Sequence, residues 1–144
     1  MLDAFKDSVA DDLSHDITMD CVDALGKAHT LEATLGYEPT DPYAVTLTFY
    51  VPGDSVVWTI SRELLSAGLQ EPSGDGDVHV WPETDALGQP TVLIELCSPD
   101  GHLLASAASR DIRYFLARSF ALVPAGAEAE HFDVDSLLSQ LLAS

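Results

Sequence analysis

An α+β fold built on a strand-rich antiparallel sheet or partly open barrel, with one inserted short helix and two C-terminal helices, is what this sequence predicts. Three observations carry that expectation. Long runs alternate apolar and polar residues with the period of a half-buried strand, and turn sequences too short for a crossover helix join several of them. Apolar residues at helical spacing appear after the fourth alternating run and again near the end.

The elements follow in order. Residues 1–15 read as an acidic extension, in which Leu2, Phe5, Val9 and Leu13 recur at helical spacing, so that 1–14 reads equally as a short helix or as a frayed arm. From residue 16 to 144 the chain reads as a single domain. Ile17, Met19 and Cys21 alternate as on a strand, and so do Leu31, Ala33, Leu35 and Tyr37. Asp41-Pro42 biases the chain towards an extended turn. Tyr43, Val45, Leu47, Phe49 and Val51 then face one way, and Pro52-Gly53-Asp54-Ser55 turns the chain back into Val56, Trp58 and Ile60.

Ser61 is placed to cap the inserted helix. Gly68 fits its left-handed C′ position, with Leu64 and Leu69 as the accompanying apolar pair. Residues 72–77 read as a loop. Val78 and Val80 lie on a short strand that Pro82 ends, and 83–90 form an exposed connection. Val92, Ile94 and Leu96 pair through Ser98-Pro99-Asp100-Gly101 with residues 102–107. About seven strands result, with no internal repeat. A helix over 108–120 gathers Ile112, Phe115, Leu116, Ser119 and Phe120 on one side. After a loop over 124–130, Val134, Leu137, Leu138 and Leu141 predict a last helix, N-capped by Asp133.

Charge narrows the function. Twenty-four acidic residues stand against six Lys and Arg, a net charge of −18, and seven aspartates fall within the first 23 positions. Such a molecule repels phosphate backbones, which argues against general nucleic-acid binding. The apolar fraction of 47% argues against wholesale disorder. Cys21 and Cys97 are too few for a disulfide scaffold and lack the spacing of a zinc site, so both read as buried small apolar groups. The absence of a long apolar run argues against direct membrane insertion and for a cytoplasmic protein.

Tests for chemistry return no catalytic, cofactor or metal site. Ser73 and Ser98 sit in turn sequences. His15, His29, His79, His102 and His131 form no HExxH pair; His79, between two strand valines, is the most interesting by position. Asp75, Asp77 and Glu83 lack the spacing of a calcium loop. The acids beside Gly74 and Gly76 oppose a phosphate loop. An enclosed-ligand protein would need Tyr37, His79 and His102 to converge. Tyr43, Phe49, Trp58, Gly68, Trp81 and Phe115 are the expected structural anchors. Arg110, Arg113 and Arg118, half of all Lys and Arg, share an exposed helical sector, and with Arg62 they are the candidate partner contacts. Pairing with carboxylates inside the molecule is the competing reading.

A resemblance rests on specific segments. They are Asp41-Pro42-Tyr43-Ala44-Val45 with Phe49, Val57-Trp58 with Ser61-Arg62-Glu63-Leu64-Leu65 and Gly68-Leu69, and Gly74-Asp75-Gly76-Asp77-Val78-His79-Val80-Trp81-Pro82. Ser98-Pro99-Asp100-Gly101, Phe115-Leu116, Val123-Pro124 and His131-Phe132-Asp133 continue it in order. With these the chain resembles the SsgA-like family of actinobacterial sporulation and cell-division proteins, nearest its SsgB type. The resemblance implies a Whirly-like, strand-rich fold and a homotrimer. It implies a non-enzymatic adaptor, concentrated at the septum, that helps recruit the tubulin-like protein FtsZ and works with an SsgA-like paralogue. It also implies an alternative, a single-stranded nucleic-acid-binding module using the Whirly-like sheet, which the net charge opposes.

Overall fold

The computed structural model describes residues 12–132 and 134–143. Four strands, β1 (Leu13–Asp23), β2 (Ala28–Tyr37), β3 (Ala44–Val51) and β4 (Asp54–Ser61), run into α1 (Arg62–Ala67). Four more, β5 (Ser73–Asp75), β6 (Val78–Thr84), β7 (Pro90–Ser98) and β8 (Gly101–Ala108), run into α2 (Ser109–Leu122). The short α3 (Glu128–His131) and α4 (Val134–Ala143) follow. All eight strands form one antiparallel sheet in the order β4-β3-β2-β1-β8-β7-β6-β5. Two four-stranded meanders, each ending in a helix, thus join through β1 and β8, from Asp20↔Ser106 to Asp23↔Leu103.

Alternation selects the face that is covered. Met19, Leu35, Leu47, Ile94 and Ala105 are fully buried, and α2 adds Ile112, Phe115 and Leu116 to the same core. One inward side chain at every second position of each strand gives a continuous apolar layer. The β1–β2 and β6–β7 hairpins turn by the same tetrapeptide, Asp-Ala-Leu-Gly, at 23–26 and 85–88. In each, one Asp carboxylate oxygen accepts two backbone N–H groups at 2.9 Å. Gly26 and Gly88 both take φ 80°, a conformation in which a Cβ would be strained.

Several expectations are corrected. β1 begins at Leu13, which pairs with Tyr37, so residues 13 and 14 belong to a strand, and Asp12 before them lies in a bend; residues 1–11 of the predicted N-terminal helix lie outside the described residues, as does the Asp133 cap. Among the described residues there are eight strands, because Ser73–Asp75 pairs with Val78–Val80. Its turn-like composition has a packing reason: a Cβ on Gly74 would collide with the His79 imidazole across the ladder. β6 runs through Pro82 to Thr84, since beyond Val80 it has no β5 partner and a missing N–H costs no ladder bond on that side. The loop predicted over 124–130 contains the start of α3.

Gly68 is the most instructive correction. Its φ is −66°, right-handed helical, so no left-handed cap demands glycine. A Cβ there would overlap the Val80 side chain and sit 3.1 Å from the Val80 carbonyl oxygen. Glycine is required because the residue that ends α1 lies directly on Val80 of β6.

Candidate partner-binding surface

The two helices that end the meanders begin alike. Ser61-Arg62-Glu63-Leu64 opens α1 and Ser109-Arg110-Asp111-Ile112 opens α2. Ser61 Oγ accepts from Leu64 N–H at 3.1 Å, the capping bond the sequence predicts. Ser109 is already inside its helix and buried, and its Oγ accepts from Arg113 Nε at 3.1 Å.

Arg62, expected among the partner contacts, is only 1% exposed. One guanidinium nitrogen donates to the carbonyl oxygens of Ser119 at 3.1 Å and Val123 at 2.8 Å, two acceptors at the C-terminal end of α2. The other donates to the Glu128 carboxylate at 3.1 Å. The guanidinium carbon lies 4.1 Å from the Phe120 ring centre and 4.9 Å from that of Tyr37. A buried charge is tolerated when it is paired and hydrogen-bonded, and here it also satisfies the Val123 carbonyl beyond the helix end and shares the Ser119 carbonyl with the Val123 N–H. The Arg62 Nε has no partner. Glu128 is held below its ordinary carboxylate value by its own backbone N–H and by Arg62. Arg62 is therefore a clasp between α1, α2 and α3, off the accessible surface.

Arg110, Arg113 and Arg118 have the opposite fate. All three are exposed, and with Tyr114, Ala117 and Ala121 they recur at i, i+3, i+4, i+7, i+8 and i+11 along the outer side of α2. Tyr114 is 56% exposed, and the Arg118 guanidinium sits 5.4 Å from its ring centre. The His15 ring from β1 lies 5.4 Å from the same tyrosine and 4.0 Å from the Asp111 carboxylate. Arg110 and Arg113 line a groove with Asp16, Asp20 and Glu32, yet among the described residues none of the three arginines approaches a carboxylate within 4.0 Å. The sequence reading missed Tyr114, although it stands four residues from both Arg110 and Arg118.

The remaining candidates are spread out. Phe49 and Phe115 are buried, and Trp58 packs partly buried against the same core. Trp81 is half-buried on the opposite face, paired with Leu93. Tyr43 is 51% exposed and meets Phe132 edge-on at 6.1 Å, so it steadies the segment before α4 more than the core. Tyr37 is buried and bonds the Pro42 carbonyl, far in the pleat from His79 and His102, which both face away from the core; the three do not converge. On that outer face, Thr18 donates to Glu32, Thr34 to Asp16 and Thr30 to Asp20, a ladder of carboxylates across β1 and β2. Such a surface opposes a phosphate backbone. Among the described residues, no helix is long and apolar enough to cross a membrane.

Comparison with known proteins gives this surface a family. The family model described as Streptomyces sporulation and cell division protein, SsgA, matches residues 31–128. The sporulation-specific cell division protein SsgB of Streptomyces coelicolor is 46% identical over 112 residues, which cover 77% of this chain and 81% of that protein. SsgB of Frankia casuarinae is 38% identical over 133 residues, 92% of each chain. The crystal structure of an SsgA-like sporulation-specific cell division protein from Thermobifida fusca matches with a TM-score of 0.78 at 33% identity, covering 90% of this chain and 94% of that one. With sequence and fold in agreement over most of its length, this chain belongs to the SsgA family of sporulation and cell-division proteins.

Proposed function

We propose that this protein is a non-catalytic adaptor in sporulation-specific cell division that helps bring FtsZ to the septum site. The observation that carries the reading is the outer side of α2, where Arg110, Arg113 and Arg118 surround an exposed tyrosine. Arginine and tyrosine are the side chains that most often dominate protein–protein contacts. In a chain of net charge −18 this is, among the described residues, the one cluster of exposed arginines, so it attracts an acidic partner segment that a surface of carboxylates repels. Its place in the cell is the cytoplasm, concentrated at the division septum.

The protein acts as a homotrimer, alongside an SsgA-like paralogue. Support for self-association comes from α4, where Val134, Leu138, Leu141 and Leu142 are exposed and leave an apolar stripe to be covered. The paired meander-plus-helix halves support a Whirly-like reading of the sheet, without its nucleic-acid activity. The acidic extension expected over residues 1–15 reads as ending before Leu13, because Leu13, Ser14 and His15 already pair with β2 in the sheet. Co-sedimentation of the purified protein with FtsZ filaments tests the adaptor directly: the expected result is retention in the pellet only when filaments are present. A folded protein that stays in the supernatant, and a labelled copy that never gathers at septa, would overturn it.

A further inference from the structure

Three ligand-type side chains, Glu95, Cys97 and His102, meet on the outer face of β7 and β8, away from α2, and His79 of β6 stands beside Glu95. Val78, Val80, Ile94 and Leu96 point into the core, so the residues between and beside them, His79, Glu95 and Cys97, point out. The ladder sets His79 opposite Glu95 and Cys97 opposite His102. Glu95 and Cys97 are one pleat apart on the middle strand, with an imidazole across from each. His102 Nε2 lies 2.9 Å from one Glu95 oxygen, and His79 Nδ1 lies 3.5 Å from the other. The donor atoms of Glu95, Cys97 and His102 all fall within 4.8 Å of one another.

Ordinary surface pairing explains only part of this cluster. A carboxylate between two imidazoles can hold a proton, but that leaves the thiol beside them without a role. Cys97 is half-buried, its backbone N–H is fixed to the Asp77 carbonyl at 2.9 Å, and its Sγ has no hydrogen-bond partner among the described residues. Cys21 is the contrast: buried in the core, its thiol is pushed up to about 11 by burial and by Asp20. Only Cys97 is placed where a thiolate could act as a ligand.

We propose that His102 Nε2, Cys97 Sγ and a Glu95 oxygen, with His79 Nδ1 as the fourth donor, form a binding site for a divalent transition metal of the zinc class. A set of two nitrogens, one oxygen and one sulfur suits a borderline ion and disfavours calcium or magnesium, which take oxygen ligands. Donors at about 2.0–2.3 Å from one ion stand roughly 3–4 Å apart, which Glu95, Cys97 and His102 reach by small side-chain rotations from within 4.8 Å, and His79, already 3.5 Å from Glu95, joins them by a larger swing of its imidazole. The metal displaces the thiol proton, and one thiolate plus one carboxylate balance its charge. Bound there, it staples β6, β7 and β8 together near the edge of the sheet. That role is structural and independent of the α2 surface.

Titration of the metal-stripped, reduced full-length protein with Co2+ tests the site. The expected result is one equivalent per chain with the visible bands of tetrahedral cobalt and a near-ultraviolet thiolate charge-transfer band, both bleached by Zn2+. Cys97→Ser should abolish the charge-transfer band, and His102→Gln should weaken binding by ~10-fold or more. Zn2+ should also raise Tm in the wild type and leave Cys97→Ser unmoved, with circular dichroism confirming that the variants fold. Cobalt that binds without a thiolate band, or equally well to the Cys97→Ser/His102→Gln double variant, would place the ion on surface acids and overturn the proposal, as would no binding at all.

Discussion

Two junctions with nearly the same sequence meet opposite environments in this molecule. At the end of the first meander, Ser61-Arg62-Glu63-Leu64 sends its arginine inward; at the end of the second, Ser109-Arg110-Asp111-Ile112 leaves its arginine in solvent. The cause is what each helix faces. α1 packs where α2 ends, so Arg62 finds the carbonyls of Ser119 and Val123, a carboxylate at Glu128 and two aromatic rings. No helix end is packed over Arg110, and α2 is long enough to carry it with Arg113 and Arg118 on one outward side. One junction binds the fold together, and the other presents charge to a partner.

The sharpest way to break this contrast is to remove each arginine in turn. Arg62→Ala should cost about 3 kcal/mol or more in chemical denaturation, because it strands buried acceptors and a partly buried carboxylate. Arg110→Ala should stay within ~0.5 kcal/mol of wild type. Equal effects would erase the distinction. Next comes Gly68, where the end of α1 meets Val80 of β6. Gly68→Val should cost roughly 1–3 kcal/mol by overpacking against Val80, and Val80→Ala should recover part of that loss in a double-mutant cycle. A cycle with no coupling would reject close approach as the reason for glycine.

The serines separate by a smaller margin. Ser61→Ala removes a capping bond and should cost about 1 kcal/mol in urea unfolding. The smallest effect is acid sensitivity of the clasp. Because Glu128 titrates below its ordinary 4.5 in the folded chain, its stabilisation is present above the unfolded value and is lost as pH falls through the folded one. The Tm difference between wild type and Glu128→Gln should therefore close as pH drops below that value. A difference constant down to strong acid would exclude the carboxylate from the clasp.

Much of this was legible where the cause is local. Alternation marked seven of the eight strands, and Ser61 was readable as a cap because a strand ends and helical spacing begins there. The burial of Arg62 was not, since its partners lie 57, 61 and 66 residues away and its local sequence matches that of Arg110. Gly68 shows a different limit: left-handed backbone and close helix–sheet contact both select glycine, and only the coordinates separate them. β5 was hidden because Ser-Gly-Asp reads as a turn while His79 enforces glycine from across the ladder. On α2 the arginine spacing pointed to the correct side, but Tyr114 emerged only once the helix phase was fixed.

The division of labour between the two junctions is tested most directly by one paired measurement, the affinity of Arg113→Glu for FtsZ filaments set beside its Tm. Reversing an exposed charge on the outer side of α2 should weaken binding by ~10-fold or more while leaving Tm close to that of wild type. A folded Arg113→Glu protein that binds filaments as tightly as wild type would contradict the assignment of that surface to the partner.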